Sequence, residues 1–263
     1  MHAHIIIWII PFTLLGGILS ALVASILLLF SEQARTALLP RLVSFSIGAL
    51  LGAAFLDLLP EAMHAAGPER VQGIGLALAL GVLGFFLLEK LAFWHHGHGS
   101  DELDTEAHPD RLRQKAVGTL IVIGTGLHNF LDGILLGASF LTDIRLGVVL
   151  AIAVIAHQIP QQVGDISVLL VAGVSRGRAL LLSALSGGTM VLGGIVSWAF
   201  LAHAQAYIPY VLAITAASLI YIAVADLIPG LHRHEGARLS LLTVILIATG
   251  IGLIYVIKAA IGG

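Results

Sequence analysis

Apolar residues in this chain fall in long, nearly unbroken runs separated by short clusters of charge, proline and glycine. Eight such runs can be drawn, roughly Ile5–Phe30, Leu38–Met63, Val71–Trp94, Ala116–Leu141, Leu146–Val171, Ala179–Ala202, Tyr207–Ile228 and Leu239–Ile261. Each reaches the ~20 residues an α-helix needs to cross about 30 Å of hydrocarbon. The first has no basic n-region and is too long for a signal-peptide core, so it reads as a span. The pattern predicts an all-α integral membrane protein, an eight-transmembrane-helix bundle forming one domain over residues 1–263. Six of the seven connections are short. The third, 95–115, is polar, with Asp101, Glu102, Asp104, Glu106, Asp110 and the histidines His95, His96, His98 and His108, and is expected to be a flexible loop able to collect metal.

Composition agrees with the pattern. The chain is 58% hydrophobic and 11% charged, where a soluble domain carries about 25% charged residues. The lipid bilayer is therefore its expected surroundings, and a homodimer is compatible with them. A net charge of −2 without a basic tract gives no footprint for nucleic acid. The absence of cysteine excludes a disulfide framework, an iron–sulfur cluster and a Cys-rich zinc site.

Charge also orients the bundle. Connections one, three, five and seven, with their flanks, hold Arg35, Arg41, Lys90, Arg111, Arg113, Lys115, Arg176, Arg178, Arg233 and Arg238, whereas the even ones hold only Arg70 and Arg145. Basic residues in short loops resist translocation, so the odd connections are expected in the cytoplasm and both termini outside. Span two ends Asp57-Leu58-Leu59-Pro60 and span seven ends Asp226-Leu227-Ile228-Pro229. Paired Pro-interrupted segments in oppositely directed helices suit an inverted repeat, although proline at span ends is common.

Ionisable residues inside spans are costly, about 2.5–3.5 kcal/mol for Asp, and mark function. They concentrate in spans four and five, as His128-Asn129-Phe130-Leu131-Asp132-Gly133 and His157-Gln158-Ile159-Pro160-Gln161-Gln162-Val163-Gly164-Asp165. Residues four apart share a helix face. His128 thus aligns with Asp132, and His157 with Gln161 and Asp165. The short connection at Asp143 makes the two helices antiparallel neighbours, and both histidines fall near the midplane. Two imidazoles, a carboxylate and amide oxygens suit a divalent transition metal. Pro160 frees a backbone carbonyl at that depth. Taken singly, each of these polar groups reads first as an interhelical packing contact; their number in two neighbouring helices favours a site.

H-N-F-L-D-G followed by H-Q-I-P-Q-Q-V-G-D resembles the signature pair of the ZIP (Zrt/Irt-like) zinc transporters, whose fourth and fifth helices read H-N-F-x-D-G and H-E-x-P-H/Q-E-x-G-D. The resemblance covers the chain, from the eight spans to the L-P-E and L-I-P ends of spans two and seven. It implies movement of divalent metal toward the cytoplasm by an elevator-like displacement of one helix group against another. Zinc is the first expectation, with iron, cadmium or manganese also suited to these ligands. Carried over by position, His128, Asn129, Asp132 and His157 match ligands, and Gln158, Gln161 and Gln162 occupy the remaining places. Gln158 and Gln162 stand where the pattern has Glu, which predicts one metal ion and weaker binding. Asp57 and Glu61, with Asp143, are candidates at the outer entrance, and Asp165 and Asp226 on the cytoplasmic side.

Two other readings remain. An intramembrane zinc hydrolase would need H-E-x-x-H, but Gln158 cannot act as a base and no His follows His157 at i+4, so no enzyme is expected. A transport-impaired metal-binding variant is the other. Short loops and compact length suggest the plasma membrane of a bacterium, its inner membrane.

Overall fold

A computed structural model describes residues 4–97, 109–171, 173–201, 205–229, 231 and 241–262. All regular structure among these residues is helical. In chain order the helices are α1 (Ile6–Leu27) and α2 (Glu32–Ala66), α3 (Val71–Gly97), α4 (Pro109–Thr142), α5 (Ile144–Val171) and α6 (Arg176–Leu201). They are followed by α7, which is Ile208–Tyr221 continued by a π turn over Ile222–Leu227, and by α8 (Leu241–Gly262). Among the described residues, seven helices are long and apolar enough to cross a membrane. The predicted fourth span lies inside α4, itself 34 residues long.

The helices run past the predicted span ends. α3 continues to Gly97 and α4 begins at Pro109, so the connection is shorter than 95–115. Proline is well placed at the start of α4, where its missing N–H costs nothing, and polarity alone does not stop a helix. Asp101, Glu102, Asp104, Glu106, His98 and His108 lie outside the described residues, and Asp110 falls in the first turn of α4.

Helix ends follow local chemistry. Ser31 starts α2, its hydroxyl accepting from the Ala34 N–H at 3.3 Å. Asp143 starts α5, its Oδ1 accepting from the N–H groups of Arg145 and Leu146 at 2.7 and 3.4 Å. That gives Asp143 a capping role where the sequence offered it as an entrance carboxylate. Gly67 and Gly173, with φ of 75° and 85°, take the left-handed backbone that closes α2 and α5. Beyond Gly173 the Val174 N–H returns to the Leu169 carbonyl at 3.0 Å.

Burial is inverted relative to a soluble protein. Large apolar side chains face outward, Leu29 at 74% and Leu241 at 76% exposure, while Asn129, Gln158 and Gln162 are fully buried. Lipid satisfies the first group and only protein the second.

Packing is densest within two sets of helices, α1 with α4, α5 and α6, and α2 with α3, α7 and α8. Glycines set the closeness inside each. A Cβ on Gly17 would sit 2.0 Å from the Gly187 carbonyl oxygen, joining α1 to α6, and one on Gly193 would sit 2.0 Å from that of Phe130, joining α6 to α4. In the other set, Gly48 meets the Ile247 carbonyl of α8 at the same distance, and Gly81 meets Ala217 of α7 at 2.7 Å. Among the described residues, no glycine makes such an approach from one set to the other. Gly187, Gly193 and Gly194 thus serve close helix packing, whereas Gly188 faces open space.

The two D-L-x-P echoes coincide with the same irregularity. π turns span Ala53–Leu58 in α2 and Ile222–Leu227 in α7, each ending on the Asp-Leu pair. In α2, Pro60 cannot offer an N–H to the Leu56 carbonyl, and Lys258 Nζ of α8 donates to that oxygen at 2.5 Å.

Candidate metal centre

α4 and α5 are joined by one turn at Asp143 and pack antiparallel. Their polar stripes meet. Asp132 Oδ2 lies 3.4 Å from His128 Nε2 and 3.3 Å from His157 Nε2. The two imidazoles stand edge to face with centroids 5.8 Å apart. One ligand atom from each of these three residues lies within 4.8 Å of the others. Next to Asp132, Gly133 lets α4 press on α6, since a Cβ there would lie 2.0 Å from the Met190 carbonyl oxygen.

The three facing atoms, His128 Nε2, Asp132 Oδ2 and His157 Nε2, are buried and have no hydrogen-bond partner. His157 Nδ1 lies 3.2 Å from the Ala153 carbonyl. A carbonyl only accepts, so Nδ1 carries the proton and Nε2 presents its lone pair to Asp132, the tautomer a metal-ligating imidazole needs. Zinc held tetrahedrally at about 2.0–2.2 Å requires ligand atoms roughly 3.3–3.6 Å apart. Both Asp132 separations fall in that range. A divalent cation at this point would satisfy all three atoms at once.

The amides beside this cluster are engaged with one another. Gln158 Nε2 donates to Asn129 Oδ1, and Ser183 Oγ of α6 donates to Gln162 Oε1. Gln158 Oε1, Asn129 Nδ2 and Gln162 Nε2 remain buried without partners. This tier is neutral where two carboxylates would have carried charge. Gln161, one turn beyond His157, is half-buried.

The remaining sequence candidates lie apart from the cluster. Asp165 is half-buried and accepts from Thr125 Oγ1 at 2.9 Å. Asp57 is buried and paired with Lys258 Nζ at 2.9 Å. Glu61 is half-buried one turn on. The Asp226 backbone lies in the π turn of α7, and its side chain is outside the described residues.

Sequence reasoning missed Thr125, Ser183, Lys258 as the partner of Asp57, and Ser46, which donates to the Ala156 carbonyl beside His157. Thr125 alone carried a signal, standing three residues before His128 on its helix face. The others reach in from helices distant in sequence.

Comparison with known proteins bears on the whole chain. The family described as "ZIP Zinc transporter" matches residues 3–111 and 94–258. A protein named zinc transporter ZIP13 from Pongo abelii is 31% identical over 225 residues, covering 81% of this chain and 65% of its own length. Zinc transporter ZIP13 from Homo sapiens is 30% identical over 257 residues, covering 81% of this chain and 69% of its own. Zinc transporter foi from Drosophila melanogaster is 33% identical over 164 residues, covering 62% and 23%. The chain thus spans about two thirds of the ZIP13 proteins and about a quarter of foi.

Proposed function

The chain belongs to the ZIP zinc transporter family, and from that premise we propose that it carries zinc across a membrane, toward the cytoplasm, through the site formed by His128, Asp132 and His157. The observation that carries this reading is the convergence of three buried, unpartnered ligand atoms, with Asp132 at the spacing of zinc ligands from both histidines. Gln161 oxygen and water complete the shell of one ion. A second ion is disfavoured, because Asn129 and Gln158 bond to each other and Gln162 to Ser183, without carboxylate charge. Fe²⁺, Cd²⁺ and Mn²⁺ suit the same donors, in an order set by availability.

In this reading α4 is the eighth span, both termini lie outside, and the ligand helices travel with α1 and α6 as a unit. Glycine-tight packing within each helix set supports rigid blocks that move past one another. The paired π turns at D-L-x-P support an inverted repeat relating α2 to α7. Asp165 receives the ion on the inner side, and Asp226 is assigned there by its position in the repeat.

Zinc flux into proteoliposomes, read by an indicator trapped inside, tests the proposal. Wild-type protein is expected to give flux well above that of His128→Ala and His157→Ala. Equal rates in all three would overturn it.

A further inference from the structure

α5 runs through Pro160, which offers no N–H to the carbonyl of Ala156. That oxygen, on the residue before His157, accepts instead from the Ser46 hydroxyl of α2 at 2.5 Å. Ser46 is fully buried. Its hydroxyl also reaches the Leu42 carbonyl, one turn back in α2, at 2.8 Å, so a single proton is shared between an acceptor on its own helix and one on α5.

The bond crosses between the two helix sets. Thr125 to Asp165, Ser183 to Gln162 and Thr189 to the Gly126 carbonyl all stay within the set that holds the metal ligands. Lys258 to Asp57 stays within the other.

We propose that Ser46 is the latch between the two sets: it holds α5, and the metal site on it, in the position seen here, and its bond to Ala156 breaks each time the sets move past each other. This rests on the reading of the chain as an elevator-like transporter. Ser46 touches no metal ligand atom and acts through position. The chemistry is asymmetric. On separation the hydroxyl keeps Leu42 as its acceptor, so the donor side loses little. The Ala156 carbonyl loses the partner that replaced its missing helical N–H. The latch therefore favours one position without leaving Ser46 unsatisfied in the other.

The chain contains no cysteine, so spin labels can be placed without background. Glu69→Cys and Arg145→Cys put labels at exposed positions, beside α3 in one set and in the first turn of α5 in the other. Distance distributions are measured in lipid nanodiscs, with zinc flux and zinc affinity determined in parallel. Ser46→Ala is expected to change the ratio of the two label separations by roughly three- to tenfold, the value of one ordinary hydrogen bond. The maximal flux should change with it, while zinc affinity stays unchanged. Ser46→Thr, which keeps the hydroxyl, should behave as wild type. Pro160→Ala restores an N–H facing the Ala156 carbonyl, so adding Ser46→Ala to it should have little effect. An unchanged distribution in Ser46→Ala, or a changed zinc affinity with no change in distribution, would overturn the latch. Loss of wild-type flux with two label separations still responding to Ser46→Ala would overturn the transport reading and leave the latch standing.

Discussion

Asp132 is the centre of the site because its Oδ2 is the atom both imidazoles approach, at 3.3 and 3.4 Å. The three facing atoms are buried without hydrogen-bond partners, and a cation between them would satisfy all three. In the proposed reading the neighbouring amides limit that ligand to one ion. Replacing Gln158 and Gln162 together by Glu returns two negative charges to a tier now closed by Asn129 and Ser183. Zinc binding to that double variant should tighten on the order of tenfold or more, and the stoichiometry measured by titration calorimetry should rise above one ion per chain. Unchanged affinity and stoichiometry would show that the amides do not limit the site. The His–x₃–Asp spacing and the His157 stripe were legible in the sequence because a helix turns by a fixed angle per residue. That Gln158 bonds to Asn129 was not legible, since it depends on how closely α4 and α5 approach.

Glycine decides that approach for the helices. α6 carries Gly187 against α1 and Gly193 against α4, each at a distance where a Cβ would overlap a carbonyl oxygen. Gly193→Val would place a branched side chain 2.0 Å from the Phe130 carbonyl oxygen, two residues from His128. The expected result is a loss of 3 kcal/mol or roughly more from overpacking, read as a lowered melting temperature in detergent and weakened zinc binding together. Gly188→Val, five residues earlier with open space around it, should melt within a degree or two of wild type. The sequence does not separate Gly188 from Gly187, because a run of four small residues on a helix does not say which face meets a neighbour. The π turns were equally hidden. Pro60 and Pro229 were visible, but the widening of the helix before each was not.

At the scale of the molecule, α8 is tied to α2 by charge. Lys258 Nζ, on α8, pairs with Asp57 Oδ1 at 2.9 Å and with the Leu56 carbonyl at 2.5 Å, across most of the sequence. Lys258→Met strands a buried carboxylate and a carbonyl. Because the lysine is itself partly exposed, the loss should be about 1–3 kcal/mol rather than that of a fully buried pair. A fall of several degrees in melting temperature is expected, with Asp57→Asn in the same chain recovering most of it. If the double variant melts no higher than Lys258→Met, the stranded charge is not the cause.

What the sequence determined by itself was the medium, the helices and the chemical types at the site. These follow from local quantities: the length of each apolar run, the energy of placing Asp and His in hydrocarbon, and the fixed periodicity of a helix. Only the tertiary structure decided which helices form which set, which carbonyls released by proline are taken by Lys258 and Ser46, and which of the polar residues in α4 and α5 face one another. Those outcomes depend on distances between segments far apart in the chain. They are fixed when glycine contacts bring backbones together, and no local pattern records them.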